Sequence, residues 1–279
     1  MIKSILVAVD GSEYTDSVMK YALQMAKRFG ARLRIVTVID VRIFEWSVYL
    51  GVDGFAPVLP SSVYLDESRQ LLQEKADNVL KKCEEIAQKE GVSYTAEKVE
   101  GSPVEILSNR AAIVDLVLLG AHGEFAKWGR SKLMGATVEA ISRECIKPLF
   151  ISQKDYREFK KILVPYDGSL NSNRALPYAG YFASQFGAGV TVFTVDNNLE
   201  MAKNVASEGT NYLSSYEVDL DLEIRRGNAE EEIINFSEEG GFDLIVMGAY
   251  GHSRIREAIL GSTTEHVMRH ANIPLLLVK

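Results

Sequence analysis

Three glycines near the C-terminus are followed by hydroxyl side chains, in a pattern that suits an anion. Gly248 closes a short apolar run, Gly251 follows after two intervening residues, and Gly261 after nine more. Ser262 and Thr263 come next and precede a helical stretch, for which both are suitable N-cap residues. Glycine lets the backbone approach a ligand closely and adopt positive φ, and the free N–H groups of a helix start attract negative charge. We therefore predict an anion site over these residues.

Three further side chains around this pattern could meet a ligand. His252 and Arg254 lie between the glycines, where either could reach phosphate groups or could equally be solvated. Asp167 ends an apolar run and is followed by Gly-Ser, a sequence in which an aspartate turns the chain and caps the next helix. A ligand role and this structural role both fit Asp167, and the sequence does not decide between them.

An internal repeat places the same elements in both halves of the chain. Residues 5–12 (ILVAVDGS) return as residues 162–169 (ILVPYDGS), with Asp167 at the position of Asp10 (167 − 10 = 157). Apolar residues with the i, i+4, i+7, i+11 spacing of one buried helix face recur at the same offset: Val18, Ala22, Met25 and Phe29, then Ala175, Ala179, Phe182 and Phe186. Self-similarity at a fixed offset indicates a duplicated domain.

Each half alternates apolar strands with helices, which predicts doubly wound α/β domains with parallel sheets. We expect strands near residues 2–9, 32–39, 93–99, 115–120 and 148–152, and again near 161–166, 189–195, 218–225, 243–248 and 274–278. Helices of the first half are expected near 14–29, 66–90, 103–111 and 135–146. Ligands of such sheets bind at the carboxyl ends of the strands, where the strand order reverses. The aspartates ending strand one and the glycines ending strand four should meet there.

Two segments lie outside this repeat. The predicted domains are residues 1–152 and 161–279, and the short, charged segment 153–160 is expected to be an exposed linker. An aromatic-rich insert at 41–65 has no counterpart in the second half. Long loops often carry function, so this insert is expected either to pack as a lid over one of the domains or to form a separate ligand site.

The spacing of the three C-terminal glycines and Ser262 resembles the nucleotide-binding signature of the universal stress protein family, and the resemblance extends over nearly the whole chain, twice. It implies that the glycines and the hydroxyl residues after them contact the ribose and phosphates of ATP, with Mg²⁺ as the accompanying ion. It also implies that Asp167 lies near the nucleotide and that Val195 meets adenine through its backbone. Met247, just before the first glycine, completes the candidate set.

The resemblance also implies an architecture. Each half should be a five-stranded, parallel, adenine-nucleotide α-hydrolase-like sheet of Rossmann type. Domains of this family commonly pair through their last strands, so the tandem chain should form an intramolecular pseudo-dimer through the strands ending at Ser152 and Lys279. Whether two such chains dimerise further, and which downstream protein they meet, the sequence leaves open.

The first half departs from the signature. Gly120 and Gly123 match, but Gly135 follows after eleven residues instead of nine, and Ala136 takes the place of the serine, with Thr137 next. The longer spacing shifts the helix start, and the missing hydroxyl removes a phosphate donor. We therefore predict a weaker, altered or empty site over Asp10, Val38, Gly120, Gly123, Gly135 and Thr137, with nucleotide binding mainly in the second half.

Composition limits the remaining functions. The 279 residues carry a net charge of −7, which argues against nucleic-acid or anionic-membrane partners. No apolar run has the length of a membrane span, and the N-terminal residues predict a first strand rather than a secretory signal. Two cysteines without CxxC spacing suit a reducing cytoplasm. His266 and His270 have a zinc-compatible spacing but no HExxH context, so we predict no metal site.

Three functions follow, in this order. The first is an ATP-binding stress-response protein whose nucleotide acts as a conformational or assembly signal, with at most slow hydrolysis, because no Walker A loop, nucleophile elbow or paired acid and base is present. The second is an enzyme of the adenine-nucleotide α-hydrolase group. Those enzymes use a Ser-Gly-Gly loop where this chain has Asp-Gly-Ser, so we rank this function lower. The third is an interaction module that does not bind nucleotide.

Overall fold

Strands and helices alternate along both halves of the computed structural model, which describes residues 2–40, 62–123, 135–249 and 260–279. The first half contains β1 (Ser4–Ala8), α1 (Thr15–Phe29), β2 (Arg32–Asp40), α2 (Ser62–Lys89), β3 (Tyr94–Gly101), α3 (Pro103–Ala111), β4 (Leu116–Gly120), α4 (Ala136–Glu144) and β5 (Leu149–Ser152). The second half contains β6 (Lys161–Pro165), α5 (Leu170–Phe186), β7 (Gly189–Val195), α6 (Leu199–Leu213), β8 (Leu220–Arg225), α7 (Ala229–Glu239), β9 (Leu244–Gly248), α8 (Ser262–His270) and β10 (Leu275–Val278). All ten predicted strands are present. Most of the predicted insert falls outside the described residues, and α2 begins within its last residues.

The ten strands form one continuous sheet in the order β3-β2-β1-β4-β5-β10-β9-β6-β7-β8. Neighbouring strands within each half are parallel, which confirms the doubly wound α/β prediction. The halves join edge to edge through an antiparallel pairing of β5 with β10, in which Phe150 faces Leu276. The predicted pairing through the last strands is therefore present, and it merges the two five-stranded sheets into one. The strand order reverses between β1 and β4 and between β6 and β9, the positions where such sheets bind ligands.

Apolar residues on both faces of each strand explain why the sheet is covered on both sides. In β1, Ile5 and Val7 belong to one core cluster and Leu6 to the other, because successive side chains point to opposite faces. Helices α1 and α5 cover the first face with the stripes that the repeat predicted: Val18, Ala22, Met25 and Phe29, and Ala175, Ala179 and Phe182, all buried. Each of these two helices ends at a glycine with positive φ, Gly30 at 61° and Gly187 at 68°.

The segment between the halves is mostly exposed, as expected, but one of its residues belongs to the core. Its charged side chains are exposed, but Phe159 is only 3% exposed. The Phe159 ring stacks on Tyr21 with centroids 5.3 Å apart and meets Phe186 edge-on at 5.0 Å. The Tyr21 hydroxyl also accepts a hydrogen bond of 2.8 Å from the backbone N–H of Arg157. Aromatic residues from both halves therefore hold the segment in place.

Within the described part of the chain, no helix combines the length and apolar character that a bilayer crossing requires.

Candidate functional site

Asp167 follows β6 at the carboxyl edge of the sheet, where it shapes the turn into α5. Its side chain is exposed, and its Oδ1 accepts a hydrogen bond of 3.0 Å from the N–H of Ser169. Gly168 between them has a φ of +72°, which favours glycine. The helix itself is capped by Ser169, whose Oγ accepts from the N–H of Ser172 at 3.2 Å. The turn role predicted for Asp167 is present, but the prediction that it caps the helix was wrong.

Gly248 ends β9 directly against the first turn of α5. A Cβ atom there would lie 2.5 Å from the carbonyl carbon and oxygen of Asn171 and 2.8 Å from the nitrogen of Ser172. Gly248 does not have a positive φ. The glycine is therefore required by the close approach of strand and helix, and this approach brings the end of β9 next to the turn that carries Asp167.

Helix α8 begins one residue earlier than we expected. Its N-cap is Gly261 (φ −57°, ψ 149°), whose carbonyl accepts from the N–H of Glu265 at 2.9 Å. Ser262, predicted as a possible cap, is the first helical residue, and its side chain is exposed. Thr264 turns inward, and its hydroxyl donates to the carbonyl of Gly248 at 3.2 Å. This bond ties the start of α8 to the end of β9.

The start of α8 differs from the other helix starts that the structure describes in the second half. Helices α5, α6 and α7 are capped by Ser169, Asn198 and Asn228, whose side-chain oxygens accept first-turn N–H groups. Helix α8 has no such cap, because Gly261 has no side chain. Uncapped N–H groups at a helix start and the positive end of the helix dipole together favour an anion. Ser262 and Thr263 add two hydroxyl groups beside them.

The apolar candidates lie on the same face of the sheet. Val195, which ends β7, is half-buried, and Met247 of β9 is buried in the core cluster against which Val195 packs. Helix α8 packs on the same core cluster through Val267 and Met268, so the apolar candidates and the start of α8 lie on one side of the sheet. The predicted candidates Gly251, His252 and Arg254 lie outside the described residues.

In the first half, the candidate residues come together around a carboxylate. A Cβ atom on Gly123 would lie 3.0 Å from Oδ2 of Asp10, and one on Gly135 would lie 3.4 Å from the nitrogen of Gly123. The N–H of Gly135 donates to the carbonyl of Ala121 at 3.0 Å, so it is already used. The negative charge of Asp10 beside Gly123 opposes a phosphate at that position.

Gly120 and helix α4 complete the first-half candidates. A Cβ atom on Gly120 would lie 2.5 Å from Cβ of Tyr14, so this glycine, like its second-half counterpart, is required by a close approach. Helix α4 begins after Gly135, with Ala136 exposed and Thr137 half-buried in its first turn. Val38, near the end of β2, is half-buried and packs on the core cluster of the opposite sheet face from α1.

Sequence reasoning missed one side chain in this region. His122 lies between Gly120 and Gly123, with its ring centroid 5.5 Å from that of Tyr14. Burial lowers the pKa of His122 below its usual value, since a buried imidazole is costly to charge. A neutral His122 offers a phosphate no positive charge. The sequence feature that could have indicated His122 is its position between Gly120 and Gly123.

The histidine pair of α8 forms a local contact rather than a ligand set. The rings of His266 and His270 stack with centroids 4.2 Å apart, and Nδ1 of His270 lies 2.8 Å from the carbonyl oxygen of His266. Within the described ranges, no group of three or more His, Cys, Asp or Glu side chains is placed to hold a metal ion.

Comparisons with known proteins agree with the duplicated architecture. The profile of the Universal stress protein family matches residues 1–153 and again residues 158–279. A universal stress protein of Synechocystis is 30% identical over 285 aligned residues, which cover 99% of each chain. One of Methanocaldococcus jannaschii is 28% identical over 163 residues, 57% of this chain and 86% of the relative.

A solved structure adds the likeness in three dimensions. The crystal structure of a universal stress protein from Archaeoglobus fulgidus superposes on this chain with a TM-score of 0.75, covering 99% of this chain and 98% of its own, at 22% identity. At that identity the likeness shows the fold alone. With one profile match in each half and a relative aligned along its whole length, this chain is a tandem member of the universal stress protein family.

Proposed function

We propose that this chain is an ATP-binding regulator of the stress response, with the nucleotide held mainly by the second half. The single observation that carries the proposal is the start of α8, where Gly261 leaves the first-turn N–H groups without a side-chain cap. The other helix starts described in the same half satisfy theirs internally. An uncapped start at the carboxyl edge of the sheet, next to the β6–β9 reversal, is the arrangement by which α/β folds bind phosphate groups.

The residues of this edge fit such a ligand. The phosphates would lie against the N–H groups and hydroxyls of Ser262 and Thr263, and the resemblance of the glycine spacing to the family signature supports this assignment. Adenine would lie against Val195, which is half-buried and packs on the core cluster that contains Met247. Mg²⁺ binds nucleotides mainly through the phosphates and keeps several water molecules, so it needs no dedicated cluster of carboxylates from the protein.

We assign the nucleotide mainly to the second half because its glycine spacing matches the family signature and Ser262 follows Gly261, whereas Ala136 follows Gly135 in the first half. In the first half, the carboxylate of Asp10 lies against Gly123, and the N–H of Gly135 is already bonded. In the second half, Oδ1 of the corresponding Asp167 accepts from the N–H of Ser169, as Oδ1 of Asp10 accepts from the N–H of Ser12 in the first half. We infer that nucleotide occupancy acts as a signal through conformation or assembly and that any hydrolysis is slow.

A matched pair of glycine substitutions tests the proposal. Gly261→Val places a branched side chain at the phosphate position, and Gly135→Val makes the same change in the first half. The two N-caps have nearly the same backbone geometry, φ −57° and ψ 149° against φ −62° and ψ 139°, which any residue can adopt. The backbone at both positions therefore accepts a side chain, and circular dichroism with thermal unfolding checks that each variant is folded before binding is measured.

Equilibrium dialysis with ATP then distinguishes the halves. We expect the wild-type chain and Gly135→Val to bind about one ATP per chain, and Gly261→Val to lose binding. Undiminished binding by folded Gly261→Val would contradict the assignment to α8. Absence of binding by the wild-type chain would favour the non-nucleotide interaction module.

A further inference from the structure

Helices α4 and α8 meet across the seam between the halves through four charged residues. Each helix follows a glycine N-cap, carries a glutamate at its fourth position and an arginine at its eighth, and leads into one of the two seam strands, β5 or β10. The residues are Glu139 and Arg143 in α4 and Glu265 and Arg269 in α8. We call these four side chains the charge quartet.

The ion pairs of the charge quartet cross between the halves in both directions. Oε1 of Glu139 accepts from Arg143 of its own helix at 2.8 Å and from Arg269 of the other half at 2.9 Å. Oε1 of Glu265 lies 2.6 Å from Arg269 and 4.0 Å from Arg143. Each carboxylate therefore interacts with one arginine from each half. The shared arginines therefore link the two helices across the seam.

The ion pairs of the charge quartet are partly buried. The side chains of Glu139 and Arg269 are 26% and 29% exposed. Nε of Arg269 is buried and has no hydrogen-bond partner among the described residues. A networked, partly buried pair is less screened by solvent than an exposed one, so a change at one member is felt by the others.

The first backbone hydrogen bond of each helix places each glutamate of the charge quartet one turn from its glycine N-cap. The N–H of Glu265 donates to the carbonyl of Gly261 at 2.9 Å, and the N–H of Glu139 donates to the carbonyl of Gly135 at 3.1 Å. A phosphate at the start of α8 would therefore lie one helical turn from a carboxylate that shares its arginine with the first half. Repulsion between phosphate and Glu265 alters how strongly that carboxylate holds Arg269.

We propose that the charge quartet transmits occupancy of the second-half site to helix α4 of the first half. This inference rests on the proposed function, because it needs a triphosphate at the start of α8. Binding there changes the strength of the Arg269–Glu265 ion pair relative to the Arg269–Glu139 pair. Helix α4 responds through Glu139, which lies one turn from Gly135. By thermodynamic linkage, a change at Glu139 must alter the affinity for ATP.

Hydrogen exchange of the full-length chain, followed with and without ATP and Mg²⁺, tests the transmission. In the wild-type chain we expect ATP to slow amide exchange at the first turn of α8 and to change the exchange of α4. In Arg269→Met, which keeps the length of the aliphatic stem but removes the charge, the response of α8 should persist and that of α4 should disappear. Persistence of the α4 response in this variant would show that the charge quartet is not the route.

Affinity measurements provide a second test that does not depend on Arg269→Met folding. Glu139→Gln leaves Arg269 to Glu265 alone and removes one negative charge from the charge quartet, so ATP should bind about threefold tighter or more. Glu144→Gln makes the same charge change at an exposed position of the same helix, outside the charge quartet, and should leave the affinity nearly unchanged. Equal effects of the two substitutions would overturn the inference.

The outcomes separate this inference from the proposed function. ATP binding with a response confined to α8 would overturn the transmission and leave nucleotide binding intact. A wild-type chain that binds no ATP would overturn both.

Discussion

Replacement of Gly248 by alanine should destabilise the protein strongly, because the close approach of β9 and α5 leaves no room for a methyl group. The added Cβ would lie 2.5 Å from two backbone atoms of Asn171, whereas favourable contacts begin at about 3.5 Å. Relief therefore requires about 1 Å of movement by the strand end or by the first helical turn, neither of which is a flexible side chain. Overpacking of this kind costs about 1–3 kcal/mol, and a rigid backbone neighbour places Gly248→Ala near the upper limit.

Thermal and urea unfolding, followed by circular dichroism, measure this effect. A loss of about 3 kcal/mol corresponds to a fall in Tm of about 6–12 °C for a domain of about 150–250 residues. Gly189→Ala is the matched control, since a Cβ there would have its nearest neighbours at 3.7 Å and the residue has no positive φ. This control should unfold like the wild-type chain. If Gly248→Ala were equally stable, the end of β9 would not lie against α5, and our placement of the site would be wrong.

Three further substitutions or conditions test the core on the opposite face of the sheet and the cap of α5. Phe159→Ala should lower the free energy of unfolding by about 3–5 kcal/mol, measured by urea unfolding, while the exposed neighbour substitution Glu158→Ala should have little effect. Ser169→Ala removes the cap of α5 and should cost about 1 kcal/mol in the same assay, in contrast to Ser184→Ala at an exposed position of that helix. Burial raises the pKa of the Cys83 thiol to about 11 from an ordinary 9.0, so stability is full below pH 9 and should fall as the pH rises toward 11. At pH 8, a thiol reagent should therefore label Cys83 only in denaturant, and rapid labelling of the native protein would contradict its burial.

The fold could be predicted from sequence because its signals are local and repeated. Apolar runs such as 116–119 are buried on both sides only in a sheet that is covered on both faces. The repeat at a fixed offset supports the prediction of each element with a second copy of its pattern. The burial of Phe159 could not be predicted in this way. Its segment, QKDYREFK, is mostly charged, and nothing local distinguishes an aromatic residue that packs on Tyr21 from one that merely precedes a strand.

The positions of the site residues could be predicted from sequence, but the physical reasons for glycine at those positions could not. Glycine was expected at 248 for ligand approach or positive φ, whereas the structure requires it for contact with the backbone of Asn171. Sequence cannot separate these reasons, because the neighbour that occupies the space comes from another part of the chain. The cap of α8 shows the same limit, since serine follows Gly261 and has the higher cap propensity, yet the glycine takes that position.

Fusion of the two halves explains why they can differ at their sites while sharing one seam. Two identical domains on separate chains would lose translational and rotational freedom on pairing, at a cost of about 4–15 kcal/mol. Any substitution would then appear in both domains. In one chain, β5 and β10 pair over only three register positions, and the joining segment adds Phe159 to the core between them. The seam therefore does not depend on two identical surfaces. Helices α4 and α8 both start uncapped at a glycine, yet Ala136 follows that glycine in one half and Ser262 in the other, so the fused chain can carry different residues at its two sites.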